Sequence, residues 1–165
     1  MAQHSFLDKI GGTPLQEYII ATRSYANELT LEIKPEHIYV VLKMLKEKFA
    51  FNALIDITAS DFYTDEKRFE VAYNVVSIEY QQRLRVSACV EEDKPEVDSV
   101  VSIWGSADWY ERECFDMMGI KFHNHPDLRR IYMPEDFEYY PLRKEFPLLG
   151  IPGSIQMPEK AERTF

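Results

Sequence analysis

Two histidines and an aspartate lie close together in the segment HNHPD at positions 123–127. Imidazole and carboxylate groups bind zinc and related metal ions. A protein metal site needs at least three such ligands, and the other histidines of the chain lie far away in sequence. A free-standing metalloenzyme that uses His123, His125 and Asp127 stays open as an alternative. A histidine that is hydrogen-bonded at the turn before the proline is the simpler interpretation.

A second group of reactive side chains comes just before this segment, at Glu111, Arg112, Glu113, Cys114 and Asp116. Carboxylates of this kind serve in general acid and base catalysis. On a helix, however, carboxylates two and three residues apart point in different directions, and an arginine among them favours an ion-pair network. Cys114 needs a paired histidine to act as a nucleophile, and the local sequence supplies none. We therefore interpret its thiol as a core or interface group.

Two basic pairs, Arg129-Arg130 and Arg143-Lys144, have side chains that bind phosphate groups in other proteins. Five carboxylates stand near them in sequence: Asp127, Glu135, Asp136, Glu138 and Glu145. Because the arginine fork also binds carboxylates with two parallel hydrogen bonds, a protein partner or an internal ion pair fits better. The chain contains neither GxGxxG nor GxxxxGKS/T, so no nucleotide site is indicated. Its net charge of −9 argues against general nucleic-acid binding.

Composition places the chain among globular proteins of a reducing compartment. Hydrophobic residues make up 45% and aromatic residues 13% of the sequence. No apolar run approaches the roughly 20 residues that cross a bilayer. The N-terminus lacks a basic start followed by an apolar stretch, so we expect no signal peptide. The two cysteines, Cys89 and Cys114, are too few for a disulfide scaffold or for the four thiolates of an iron–sulfur cluster.

Helices that position these groups are indicated by capping residues and apolar periodicity. The first is predicted at Thr13-Pro14-Leu15-Gln16, which has the form of a capping box with proline at the first helical position. A second helix begins at Pro35. Its apolar stripe consists of Ile38, Val41, Leu42, Leu45 and Phe49. A third helix is predicted from an N-cap at Asp108 to a C-cap at Gly119.

Strands alternate with these helices and complete an α+β pattern. The predicted strands are Leu29–Ile33, Ala53–Ser60, Phe69–Ile78 and Arg83–Val90. The stretch from Pro95 to Trp104 fits either a short strand or a helical turn. The pattern predicts an α+β fold in which two to three helices pack on a mostly antiparallel or mixed sheet, with an extended C-terminal arm. We expect residues 1–122 to form an α/β sandwich domain and residues 123–165 to form the arm.

The arm combines frequent prolines with large apolar side chains. Its segment HPDLRRIYMPEDFEYYPLRKEF, residues 125–146, is too interrupted by proline for one helix and too charged for a core strand. Its tyrosines, phenylalanines, methionine and arginines belong to the residue types enriched in interface hot spots. Composition alone gives equal weight to an arm folded on its own domain and an arm packed on another chain.

The stretch WYERECFDMMGIKFHNHPDLRRIYMPEDFEYYPLRKEFP, residues 109–147, resembles the signature of the 30-kDa subunit of respiratory complex I, the NuoC family. The positions that match it include Trp109, Glu111, Arg112, Glu113, Asp116, Gly119, His125, Pro126, Asp127, Leu128, Arg129, Arg130, Phe137, Pro141, Leu142 and Arg143. Two positions depart from the pattern. Tyr139 stands where the family usually has glycine, and Glu145 stands where it usually has aspartate.

The resemblance implies a subunit that binds no cofactor of its own. In such a complex the arm lies along the NuoD (49-kDa-type) subunit, which forms the quinone-reducing site together with NuoB. FMN, iron–sulfur clusters and quinone belong to other members of the complex, which couples electron transfer to ion (proton) translocation. The implied location is the cytoplasmic face of the bacterial inner membrane, as a peripheral subunit whose membrane contact is indirect.

The resemblance also suggests which residues face the partner. The polar frame is expected from Glu111, Arg112, Glu113, Asp127, Arg129, Arg130 and Arg143, and the apolar anchors from Tyr132, Phe137, Tyr140 and Leu142. The chain ends at Phe165, so we expect a separate subunit rather than a fusion with NuoD. A related membrane-bound hydrogenase or photosynthetic NDH-type complex, which uses an equivalent subunit, stays open as an alternative.

Overall fold

Five strands form one mixed sheet in the computed structural model, which describes residues 6–7, 9–26, 28–63, 67–148 and 150. The strands are β1 (Ile19–Tyr25), β2 (Glu28–Ile33), β3 (Ala53–Asp61), β4 (Phe69–Ser77) and β5 (Gln82–Val90). Their spatial order is β1-β2-β5-β4-β3, in which β2 and β5 are parallel and the other neighbours antiparallel. A smaller sheet pairs β6 (Glu96–Asp98) with β7 (Lys121–His123) in parallel.

Alternating apolar residues place one face of the large sheet in the core. In β4, the side chains of Phe69, Val71, Tyr73 and Val75 are all buried. Because Val71 pairs with Ala88 and Tyr73 with Val86, the buried residues of β5 lie on the same face. The four predicted strands and the α+β class, with helices on a mixed sheet, are confirmed.

Two α-helices of 12 residues each accompany the sheet in the described part of the chain, α1 (Ile38–Phe49) and α2 (Ala107–Met118). The predicted stripe of α1 is confirmed, since Ile38, Val41, Leu42 and Leu45 are fully buried and Phe49 packs on the same core. A 3-10 turn at Pro35–His37 precedes α1. Helix α2 packs against β3 and ends at Gly119, as predicted. No helix in the described part of the chain is long and apolar enough to cross a membrane.

The beginning of the chain differs from the prediction. The capping-box segment forms only a 3-10 helix at Pro14–Tyr18, because the Thr13 hydroxyl donates to the Ile10 carbonyl instead of capping the helix. The Gln16 side chain accepts from the Gly12 N–H. Strand β1, which follows, was not predicted. Most of its side chains are exposed at the sheet edge, so it lacks the alternation that identifies a strand.

Two smaller features of the fold could be assigned only from the structure. Helix α2 begins at Ala107, with Ser106 before it, so the prediction of Asp108 as N-cap was wrong and Asp108 lies in the first turn. The undecided stretch after Pro95 contains strand β6 and then turns that lead into α2. The predicted domain division at 122/123 falls within β7, and the described residues beyond β7 form turns without regular helix or strand.

Candidate functional site

The arm is fixed to helix α2 by one buried carboxylate, that of Asp116. Its Oδ2 accepts three successive backbone N–H groups, from Ile131 at 3.0 Å, Tyr132 at 2.6 Å and Met133 at 3.0 Å. Its Oδ1 accepts from Nη1 of Arg130 at 2.7 Å. Asp116 is fully buried. A single side chain of the domain therefore satisfies four donors of the arm and fixes the path of the backbone through residues 130–133.

The charge of Asp116 is stabilised by these donors. Burial by itself would raise the pKa of the carboxyl group. The N–H groups of Met133 and Tyr132, the guanidinium of Arg130 and the N–H of Ile131 act in the opposite direction, and together they hold the pKa of Asp116 below its ordinary value. The arm therefore binds to the ionised form of Asp116.

Two arginines reinforce this attachment. Arg112 of α2 donates from Nε to the Arg129 carbonyl at 3.1 Å and from Nη2 to the Arg130 carbonyl at 3.4 Å. Its guanidinium also lies 4.9 Å from the ring centre of Trp109. Arg130 donates back to the Asp116 carbonyl at 3.0 Å and to the Tyr139 carbonyl at 3.2 Å. Arg112 and Arg130 thus act within the chain, by forming hydrogen bonds between the helix and the arm.

The end of α2 is shaped to receive the later part of the arm. Gly119 has φ +76°, and a Cβ atom at this position would lie 2.6 Å from Nη2 of Arg143 and 2.7 Å from the ring of Tyr140. Arg143 donates from Nε to the Met118 carbonyl at 2.8 Å, and its guanidinium stacks 4.5 Å from the centre of the Tyr140 ring. Glycine is therefore required here both by the backbone conformation and by the close approach of the arm.

A second anchor, at the β3–β4 hairpin, was not among the predicted site residues. Arg68 forms two hydrogen bonds to the Asp61 carboxylate, at 3.0 and 2.8 Å, and also pairs with Glu92 and Glu145. The N–H of Lys144 donates to Asp61 Oδ2 at 2.8 Å. The hydrogen bonds from Arg68 lower the pKa of Asp61 to about 2, and those from Lys144 and Tyr63 add to this against the effect of burial.

The two histidines of HNHPD have separate partners. His123 Nε2 lies 3.1 Å from Glu96, while His125 Nε2 lies 3.3 Å from the Asp108 carbonyl. The Asp127 N–H donates to His125 Nδ1 at 3.0 Å, so this nitrogen is occupied as an acceptor within the chain. Among residues described by the structure, no group of three or more His, Cys, Asp or Glu side chains has the geometry of a metal site.

The carboxylates of α2, considered above as a less favoured acid–base cluster, are not brought together. Glu111 is fully buried, whereas Glu113 is exposed on the same helix. Cys114 is buried, and its Sγ lies 3.6 Å from the Ile57 carbonyl. Burial raises the pKa of this thiol well above its ordinary value, so little of the nucleophilic thiolate is present at neutral pH. In the structure Cys114 is a core thiol.

Several apolar side chains of the signature remain exposed. Trp109 is 62%, Tyr132 61% and Leu142 55% exposed. Phe137 and Tyr140 are partly buried, with the Arg130 guanidinium 5.9 and 5.2 Å from their ring centres.

The remaining predicted residues have mixed exposure. Leu128 packs against the core, Arg129 is exposed and pairs with Asp127 at 2.8 Å, Pro126 is exposed and Pro141 is partly buried.

Comparison with protein families finds one matching model. The family of the "Respiratory-chain NADH dehydrogenase, 30 Kd subunit" matches residues 31–151. This range includes the second half of β2, strands β3 to β7, both α-helices and the anchored part of the arm. The chain is also 44% identical over 132 residues to an NADH-quinone oxidoreductase subunit of Geotalea uraniireducens, with 80% of each chain covered.

Solved structures with the same fold are known. The trypsin-resistant fragment (1–134) of Nqo5 is 30% identical, with a TM-score of 0.65, and the match covers 78% of this chain and all of that one. A chain of the membrane-bound sulfane sulfur reductase, an archaeal respiratory membrane complex, has a TM-score of 0.76 over 90% of this chain and 88% of its own. Its sequence is 22% identical, so this second match shows similarity of fold alone.

Proposed function

Since the chain belongs to the family of the 30-kDa subunit of respiratory-chain NADH dehydrogenase, we propose that it is a cofactor-free structural subunit of an NADH:quinone oxidoreductase. Its arm binds the NuoD (49-kDa-type) subunit and so supports the quinone module, which NuoD forms with NuoB. One observation carries the proposal. The arm is fixed from inside the chain by polar contacts at Asp116, while Trp109, Tyr132 and Leu142 stay exposed.

Internal polar contacts beside exposed apolar side chains suit a preformed binding surface. The backbone and arginines of the arm are satisfied by the chain itself, so docking a partner does not have to order them. The exposed aromatic and aliphatic side chains then supply the apolar contact, worth roughly 1.5–3 kcal/mol for each large side chain that becomes fully buried. An obligate interface between two proteins buries about 1,000 Å² or more on each side.

The chemistry is assigned to other members of the complex. In this chain Cys114 and Glu111 are buried, and Asp116 is occupied by the arm, so these groups are not presented to a substrate. FMN, iron–sulfur clusters and quinone are bound elsewhere in the complex, which couples electron transfer to proton translocation. We place the chain peripherally, on the cytoplasmic face of the bacterial inner membrane.

Site-specific photocrosslinking tests the partner. A photoreactive phenylalanine analogue replaces Tyr132 in the arm or, as a matched control, the exposed Tyr25 at the end of β1. After irradiation of membranes, we expect the Tyr132 position to capture the NuoD-type protein in high yield and the Tyr25 position to capture it weakly. Equal capture from both positions, or none from Tyr132 in an assembled complex, would contradict the assignment of the arm as the binding surface.

A further inference from the structure

Glu111 is a buried acid without a strong cation beside it. It lies on α2 and is fully buried. Its Oε1 accepts from the Val100 N–H at 2.7 Å, and its Oε2 has no hydrogen-bond partner among the residues that the structure describes. Its Oε2 lies 3.9 Å from Nε2 of His125. No lysine or arginine of the described chain lies within ion-pair distance of it.

The groups around Glu111 come from four parts of the fold. On α2 itself, Asp108 has a buried Oδ1 without a hydrogen-bond partner, and Cys114 is a buried thiol. Strand β4 contributes the Tyr73 hydroxyl, which is also buried and unpartnered within the described residues. The segment after β6 contributes the Ser99 hydroxyl and the Val100 N–H, and the beginning of the arm contributes His125. Asp98, in β6, has a smaller electrostatic effect on Tyr73 than Glu111 has.

His125 does not supply the missing positive charge. Its Nδ1 accepts the Asp127 N–H at 3.0 Å, and a protonated imidazole has no acceptor nitrogen. The ring is therefore neutral while this contact is made, with its one proton on Nε2. An ionised Glu111 would lie near the Asp108 carboxylate, whose side chain is 35% exposed and whose Oδ1 lies 3.4 Å from the same His125 nitrogen, and it would face this neutral ring. A buried charge without a paired cation is destabilised by several kcal/mol.

We propose that the Glu111 carboxyl group carries its proton in the folded protein near neutral pH, and that loss of this proton loosens the beginning of the arm at His125. Glu111 is thus a proton-binding site in the core of the protein. The proposal rests on contacts within this chain and is independent of the partner proposed above.

The direction of the pKa agrees with this geometry. Burial raises the pKa of Glu111 to about 7. The nearby Ser99 hydroxyl and the Val100 N–H act in the opposite direction, and the nearby Asp108 carboxylate raises it further. The acid therefore changes charge in the physiological pH range rather than near its ordinary value of 4.5.

The beginning of the arm forms one of the four sides of the space around Glu111. The other three sides are formed by α2, strand β4 and the segment after β6. The fourth is His125, held by the Asp127 N–H, by the Asp108 carbonyl and by its own N–H to the Phe122 carbonyl at 3.3 Å. Ionisation of Glu111 favours the entry of water, and the proposed opening displaces residues 125–127 by breaking these three hydrogen bonds.

Hydrogen exchange of the Asp127 amide measures this opening in the full-length chain. If Glu111 has its ordinary pKa when the arm is open, the protection factor of the Asp127 amide in the wild type falls roughly ten-fold between pH 6 and pH 8. In E111Q, which keeps an acceptor for the Val100 N–H and cannot ionise, protection is expected to be constant. E113Q, which changes an exposed glutamate on the same helix, should follow the wild type. A wild-type protection factor that does not change with pH would overturn the proposal.

Carboxyl carbon NMR of the wild-type chain gives a second measurement that needs no folded variant. A glutamate resonance that titrates near pH 7, and that persists in E113Q, is the expected result. If every glutamate carboxyl group in the folded chain titrates near its ordinary value, Glu111 is bound as an anion and the proposal is wrong.

Discussion

Replacing Asp116 with asparagine tests how the arm is held. The carboxylate accepts four hydrogen bonds from the arm, three of them on Oδ2. Asparagine has nearly the same shape but is neutral, and it offers one acceptor oxygen instead of two. If this oxygen faces the three N–H groups, the amide nitrogen faces Arg130 and that hydrogen bond is lost. The attachment of the arm is therefore weakened without a change in side-chain volume.

The magnitude follows from the four contacts. A hydrogen bond to a charged group contributes about 1.5–3 kcal/mol and a neutral one about 0.5–1.5 kcal/mol, so each N–H contact loses about 1 kcal/mol, and the remaining acceptors of Arg130 reduce the net loss at its contact to a similar value. The sum of roughly 4 kcal/mol is an upper value, since Arg130 keeps the Asp116 and Tyr139 carbonyls as acceptors. We expect D116N to weaken the closed arm by about 2–4 kcal/mol.

Limited trypsin digestion with intact-mass analysis measures this change. When opening is fast relative to cleavage, the rate follows the population of the open arm, so 2 kcal/mol corresponds to about 30-fold faster cleavage after Arg129 or Arg130. The control E113Q, on the exposed side of the same helix, should be cut at the wild-type rate. Wild-type cleavage rates in a folded D116N chain would refute the view that Asp116 holds the arm.

Three further predictions concern the other contacts of the arm and the hairpin. G119A should destabilise the fold by more than the ~1–2 kcal/mol of its left-handed backbone, because the new Cβ collides with the Tyr140 ring; an unchanged melting temperature would contradict this. R68M leaves Asp61 buried and unpaired, so urea unfolding should show a loss of about 3–5 kcal/mol, part of which D61N restores. The pKa values of Asp61 and Asp116 are lowered, so their stabilisation is present above the ordinary value of 3.8 and is lost as pH falls through the lowered pKa, which is about 2 for Asp61. For Asp61 this loss is about 2 kcal/mol, measurable by urea unfolding from pH 5 to pH 2, and D61N should abolish it.

Elements with a buried face could be predicted from the sequence. The stripe of α1 and the alternation in β4 and β5 are direct consequences of one face packing on the core. Strand β1 escaped prediction because it is an edge strand with mostly exposed side chains. The first helix was overestimated because a capping box gives a favourable start without indicating how far the helix continues.

The contacts of the arm could not be predicted in the same way. The signature picked out Asp116 and Arg130, but the main partners of Asp116 are backbone N–H groups, which every residue except proline offers. The pairing of Asp61 with Arg68 depends on the register of the β3–β4 hairpin, in which Asp61 stands opposite Phe69. In the sequence these two residues appear only as the ends of a polar loop.

Affinity purification from membranes solubilised in mild detergent, through a tag at the N-terminus, tests the central claim most directly. We expect mass spectrometry of the eluate to identify NuoD-type and NuoB-type proteins together with bound iron and quinone reductase activity. A chain recovered alone from membranes that retain this activity would contradict its proposed place in the complex.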